Sequence, residues 1–288
     1  MAKIVIGLAG PPGVGKSRLG KFMDSEEGRL ILAKYVPNHD LRYIPEQSDD
    51  AARELFYKNM QRFAIAQTET EKRLFYIEMQ NCTDEFELIQ ARLRILRHRV
   101  MFEHEGIGVL DTTLISGGEG YRRNSFSEGF LTHKANIEYD HAITEAADSL
   151  GRDPERLTRW CETLLIFIEA NVDIQYKRQS KRGDDLVPKP YLEKLNIINK
   201  TFIKKVLDSY NLDGTLKPVD ERKDPYTHYG LMPPEILRLD GRKDIMLEPD
   251  TMKDHLEIIG KKLAEMLKNK EDKKLIENDL TKYYSEHE

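Results

Sequence analysis

KIVIGLAGPPGVGKS, residues 3–17, decides the fold. Ile4, Val5, Ile6 and Leu8 form a compact, β-branched-rich run of the kind that suits a strand buried on both faces of a parallel sheet. Gly10, Gly15, Lys16 and Ser17 then match G-x-x-x-x-G-K-[ST]. Glycines let backbone N–H groups turn inward around a phosphate. A helix starting at the end of the loop adds its own free N–H groups. In that geometry Lys16 reaches the β- and γ-phosphates and Ser17 ligates magnesium. Arg18, Leu19, Lys21 and Phe22 continue in a pattern compatible with the helix. Gly10, Pro11, Pro12, Gly13, Val14, Gly15, Lys16, Ser17 and Arg18 are therefore expected to line a nucleoside triphosphate site, with ATP and Mg²⁺ as the occupants. The plain alternative is a glycine-rich turn with an incidental lysine.

Bulk composition bounds the rest. The 288 residues carry a formal net charge of −5, with 39% hydrophobic and 33% charged residues. That is wet, but enough for a core. No basic excess favours a nucleic-acid partner. Cys82 and Cys161 stand in no CxxC, so neither a disulfide framework nor a zinc cluster is expected. No apolar run approaches the roughly 18 residues of a membrane span, and MAKIVIGLAG is too short for a signal peptide. The expectation is a cytoplasmic protein with no membrane partner.

Farther along, residues 24–50 read as mixed, with YVPNHD and YIPEQSDD as turn-bearing stretches, and Tyr43 and Ile44 end a short strand before Pro45 and Glu46. Residues 50–80 read as one helix and 84–104 as a second, with Leu88, Leu93, Leu96 and Val100 on its apolar side and Arg92, Arg94, Arg97 and Arg99 spread elsewhere. Gly106 stops it. Ile107 to Leu110 reads as a buried strand delivering Asp111 at its C-terminal end, where parallel sheets bind ligands. Residues 126–150 are expected to be helical, LLIFI (164–168) a strand, and 172–182 and 190–210 helices. Ile245 to Leu247 reads as the last strand and 251–268 as an amphipathic helix. The whole is expected to be one P-loop domain over 1–288, a three-layer α/β/α fold with a mostly parallel sheet. A helical lid covers about 176–190, an irregular excursion with four prolines covers 211–243, and a charged tail runs over 269–288.

Phosphoryl transfer needs an acceptor-orienting carboxylate, an acceptor pocket and cations over the migrating group. Arg178 and Arg182 lie four apart and share a helix face, and Gly183 follows as a hinge. Forked guanidiniums suit a transferring phosphoryl group. Glu46 can accept or orient an acceptor hydroxyl hydrogen; a surface glutamate is the plain alternative. Gln67, read as helical, can make a two-point contact with a base edge. Phe56, Tyr57 and Phe63 can stack on a base or sugar, although core packing is the default for helical aromatics. Asp111 can hold magnesium through water, orient an arginine, or simply cap a helix.

Taken together, these pieces resemble the deoxyribonucleoside kinases. GPPGVGKS is similar to their phosphate loop, PE at 45–46 to their catalytic-glutamate segment, and RFAIAQT at 62–68 to the segment whose glutamine reads the base. YKRQSKRG at 176–183 with VPKPYLEKL at 187–195 resembles their lid and the following helix. The resemblance implies transfer of the ATP γ-phosphoryl to the 5′-hydroxyl of a deoxyribonucleoside. Glu46 would be the base, Gln67 would bind the base edge, Tyr57 would touch the sugar, and Arg178 and Arg182 would stabilise the moving phosphate. It also implies a homodimer formed through helices. The family usually has arginine after the acidic residue that corresponds to Asp111, whereas this chain has Thr112; Arg73, Arg92, Arg99 and Arg122 are the candidates to replace it. Asp184 stands where the lid often carries another arginine. DTTLISGG at 111–118 partly resembles thymidylate kinases, with Arg122 and Arg123 available for an acceptor phosphate, so a nucleoside monophosphate kinase is the alternative. A non-catalytic nucleotide-binding protein is the second.

Overall fold

A computed structural model describes residues 4–46, 50–151, 153–181, 187–242 and 249–285. In chain order they form β1 (Ile4–Ala9), α1 (Lys16–Met23), α2 (Glu26–Ala33), β2 (Leu41–Ile44), α3 (Asp50–Ile65), α4 (Glu69–Phe102), β3 (Ile107–Asp111) and α5 (Leu114–Gly117). A π-helical turn (Gly118–Arg122) leads into α6 (Arg123–Ser127), α7 (His133–Asp148), α8 (Pro154–Trp160), β4 (Leu164–Glu169), α9 (Val172–Ser180) and α10 (Lys189–Leu207). A short 3₁₀ turn (Val219–Glu221), α11 (Pro225–His228), β5 (Glu235–Asp240) and α12 (Pro249–Ser285) complete the chain.

All strand pairings are parallel, in the order β2-β3-β1-β4-β5. Every residue of β1 is buried, as expected of a strand covered on both faces. Alternation sorts the sheet's side chains. Ile4, Ile6, Leu8, Val109, Ile166 and Ile168 pack with Leu19, Met23, Leu32, Leu256 and Ile259 of α1, α2 and α12. Leu165 and Phe167 belong to a second core with Tyr139, Trp160, Phe202 and Tyr226. The result is a three-layer α/β/α fold. A third, aromatic-rich cluster joins α3, α4 and α10 through Phe56, Met79, Tyr191 and Leu195.

Four expectations need correction. Residues 26–33 are helical, started by Ser25, whose side chain accepts from the Gly28 N–H. The helix expected over 50–80 is broken after Ile65, and α4 then runs unbroken through the junction placed between two helices. A capping box at its start explains the break: Thr68 accepts from the Glu71 N–H, and Glu71 reaches back to the Thr68 N–H at 3.0 Å. The last described strand is β5, inside the supposed excursion, while 245–247 lie outside the described residues. That excursion is built into the core: Tyr226 is fully buried, and buried Asp224 caps α11 and accepts from the Ser209 hydroxyl at 2.7 Å. Finally, α4 is turned against its expected apolar side. Leu96 and Val100 are exposed, and Arg94 and Arg97 are buried. The charged tail continues α12 as helix to Ser285.

No helix among the described residues is long and apolar enough to cross a membrane.

Candidate functional site

The glycine-rich loop of residues 10–15 joins β1 to α1. Gly13 has φ +80, and a Cβ there would stand 2.8 Å from the backbone oxygen of Gln175 in α9. Both the turn and the close approach of α9 therefore require glycine. Val14 is fully buried and anchors the loop. Lys16 is mostly buried and curls back, Nζ donating to the carbonyls of Gly10 at 2.7 Å and Pro11 at 3.1 Å. Ser17 is exposed and Arg18 half-buried at the start of α1.

Asp111 ends β3, which pairs with β1, so its carboxylate arrives beside the loop. It is buried, and its Oδ2 accepts from the Tyr43 hydroxyl at 3.1 Å. Oδ1 has no partner among the described residues, and the Ser17 hydroxyl is close enough to favour the charged form. Burial pushes its pKa above the ordinary carboxylate value, and the nearby Lys16 ammonium draws it back. A hydroxyl beside a single carboxylate is the hard-oxygen set that suits Mg²⁺ held chiefly by phosphates and water. Among the described residues, no cluster of three His, Cys, Asp or Glu offers a metal cage.

Next in sequence, Thr112 has φ +57. That is a strained conformation for a β-branched residue. Arg97 of α4 holds it in place. Its Nη1 donates to the carbonyls of Asp111 at 2.5 Å and Pro45 at 3.3 Å, and its Nη2 to that of Thr112 at 2.8 Å. Burial, the largest influence, pulls this guanidinium's pKa down to about 10. One turn earlier, Arg94 donates Nη2 to Glu46 Oε1 at 3.1 Å and Nη1 to the Tyr139 hydroxyl at 3.2 Å. Glu46 keeps 30% of its side chain exposed while Arg94 keeps 3%. The carboxylate thus sits at the rim with its counter-charge beneath.

The position after Asp111 lacks the expected arginine, and α4 supplies two instead. Neither was among the candidates. Arg73, Arg92 and Arg99 are exposed. Arg122 is buried, but its Nη1 donates to Asp140 Oδ1 at 2.8 Å and to Asn136. A readable signal existed: Thr83, Glu87, Gln90, Arg94 and Arg97 recur at spacings of four and three, which places them on one helix face. All five are buried. Among the described residues, Glu87 Oε2 and both amide atoms of Gln90 have no hydrogen-bond partner. Burial drives the Glu87 carboxyl up to about 7, against the pull of Arg94 and Arg122.

Tyr57 is half-buried in the aromatic cluster that also holds Tyr191, and is edge-on to Phe56. Gln67 is not helical. It stands exposed in the link between α3 and α4, its backbone N–H donating to Glu71 Oε2 at 3.2 Å. Its side chain is therefore not among the buried groups. Arg178 lies in α9 directly against the loop, Nη1 donating to the Gly13 carbonyl at 3.3 Å. Arg182, Gly183 and Asp184 fall outside the described residues. Gln175 and Asn196 exchange amide hydrogen bonds of 3.0 and 3.1 Å, tying α9 to α10.

Glu46, Asp111, Ser17, Lys16 and Arg178 thus converge at the C-terminal edge of the sheet, while Gln67 does not. Comparison with protein-family models gives no match, and comparison with curated proteins gives none either.

Proposed function

We propose that the chain transfers the γ-phosphoryl group of ATP to the 5′-hydroxyl of a deoxyribonucleoside. The observation that carries this reading is the Glu46–Arg94 pair. A rim carboxylate is held 3.1 Å from a buried guanidinium, on the helix face that continues into Glu87 Oε2 and the Gln90 amide, which have no partner among the described residues. Buried polar atoms without partners each cost about 1–3 kcal/mol, so a polar ligand seated there offsets a standing penalty.

Lys16 leaves its loop carbonyls for the β- and γ-phosphates. Glu46 accepts the hydrogen of the acceptor hydroxyl and orients its lone pair toward the phosphorus. Arg178 turns from the Gly13 carbonyl to the equatorial oxygens of the moving group. Ser17 and Asp111 would hold Mg²⁺, which supplies charge neutralisation across the phosphates when bound. Tyr57, in the same aromatic cluster as Tyr191, would touch the sugar.

A monophosphate acceptor would need fixed arginines free to receive its phosphate. Arg94, Arg97 and Arg122 are all engaged with protein groups and the exposed Arg123 pairs with Glu119, which favours an uncharged acceptor over a nucleotide. A non-catalytic nucleotide-binding role leaves the Glu46–Arg94 pair without a purpose. A cytoplasmic setting and a helix-mediated homodimer belong to the same proposal, and sedimentation of the purified protein tests the dimer. The test of function is a phosphotransfer screen offering ATP with each deoxyribonucleoside and each monophosphate, with products identified by mass. A nucleoside 5′-monophosphate product is expected. Diphosphate products alone would replace the reading with the nucleotide kinase, and ATP binding without any product would leave only the binding protein.

A further inference from the structure

Glu87 and Gln90 stand one turn apart on the inward face of α4, each 1% exposed. Glu87 Oε1 meets only a long 3.5 Å contact from the Ser125 hydroxyl of α6, and Oε2 has no partner among the described residues. Gln90 has neither its amide N nor its amide O satisfied among them. Buried polar atoms left without partners are costly, so two neighbouring side chains in this condition point to a polar ligand that pairs with them. The charged groups facing Glu87 are Arg94 on its own helix, Arg122 from the π-helical turn and Glu46 after β2. The two arginines favour the carboxylate form.

We propose that Glu87 and Gln90 read the Watson–Crick edge of guanine, so that the acceptor is a guanine deoxyribonucleoside. This rests on the phosphotransfer reading above and names its substrate. The argument is one of complementarity. A carboxylate only accepts, and a primary amide donates and accepts. One turn apart on the same helix face, they can offer two acceptors beside a donor. Guanine offers the reverse: the O6 acceptor, then the N1–H and 2-amino donors. Adenine and cytosine each put a single amino donor beside acceptor nitrogens or oxygens, and thymine has one N–H between two carbonyls. Among the four bases, only guanine places two adjacent donors against one carboxylate. Gln90 Nε2 then donates to O6. The carboxyl's pKa, pushed up by burial in the free protein, falls as two N–H groups converge on it.

The test is calorimetric binding of 2′-deoxyguanosine, 2′-deoxyinosine, 2′-deoxyadenosine, 2′-deoxycytidine and thymidine to the full chain, with product analysis under ATP in parallel. Deoxyguanosine is expected to bind tightest. Deoxyinosine, which lacks only the 2-amino group, should bind about ten- to a hundredfold more weakly, the size of one hydrogen bond to a charged group. Glu87→Gln keeps the shape and removes the charge, and should shrink that gap to about threefold or less. Melting and circular dichroism of the variant confirm that it folds, and the wild-type comparison of deoxyguanosine with deoxyinosine needs no variant at all. Tightest binding of another base, or an unchanged gap in Glu87→Gln, overturns the base assignment. Product from another nucleoside only would overturn this proposal while supporting phosphotransfer. Deoxyguanosine binding without product would do the opposite. Failure of all five nucleosides to bind overturns both.

Discussion

Replacing Arg97 with lysine attacks the point where α4 meets both carboxylate-bearing strand ends. The guanidinium spans three main-chain acceptors, the carbonyls of Pro45, Asp111 and Thr112. An ammonium is a compact donor and cannot span that fork. Lysine can keep one acceptor and leaves at least one of the buried Asp111 and Thr112 carbonyls bare along with the more exposed Pro45 carbonyl, at about 1–3 kcal/mol for each buried group. Both side chains carry a buried positive charge, so desolvation nearly cancels between them. The expected loss is about 1–3 kcal/mol, large against the 5–15 kcal/mol total of a typical domain. Urea unfolding should show a lower midpoint with an unchanged slope. Pro45 precedes Glu46, and Thr112 follows Asp111 in a strained left-handed conformation, so kcat should fall more than ATP affinity. Arg92→Lys, at an exposed position of the same helix, is the control and should stay within about 0.5 kcal/mol. A loss under about 1 kcal/mol would refute the three-acceptor reasoning. A destabilised variant with unchanged kcat would refute the positioning role.

Glu46→Gln is isosteric and should retain ATP binding while single-turnover transfer falls about 10²–10⁴-fold; near wild-type transfer removes Glu46 from the reaction. Gly13→Ala must place a Cβ at positive φ 2.8 Å from the Gln175 oxygen, which costs about 1–2 kcal/mol for the backbone alone, so calorimetric ATP affinity should drop sharply, and an unaltered affinity denies the close packing of α9 on the loop. Glu87 gives a pH signature. Its folded pKa is raised from 4.5 to about 7, so between those values the folded state holds a proton that the unfolded chain has lost. Its contribution to stability is full below the unfolded pKa and is lost as pH rises through the folded one, by at most about 3 kcal/mol. Glu87→Gln lacks this titration and should gain on wild type between pH 4.5 and 8 in urea unfolding. A difference that does not vary with pH contradicts the buried carboxyl.

How much of this the sequence carried depends on which force dominates locally. β1, β3 and β4 are buried on both faces, so an apolar run identifies them directly. β5 is an edge strand whose EILRLD is only partly buried, and its alternating charge hid it among four prolines. The glycine-rich loop between β1 and α1 and the strand-end positions of Asp111 and Glu46 were legible because turn chemistry and strand ends fix them. Arg94 and Arg97 were not, because helical periodicity assigns arginine to solvent. Their burial follows from acceptors supplied by Glu46, Tyr139 and three carbonyls, all distant in sequence. Gln67 was misplaced for a local reason: T-E-T-E at 68–71 caps a new helix immediately after it.

The 34 residues of α4 also act as a gauge of length. Glu87 and Arg94 are seven residues apart, roughly 10 Å along the axis. On the proposed reading, one end of that interval would face a base edge, and the other would steady the carboxylate that meets the sugar hydroxyl. An acceptor with an extra phosphate would then overshoot the interval and one lacking the sugar would fall short, so a single rigid rod would select acceptors by size before any chemistry begins.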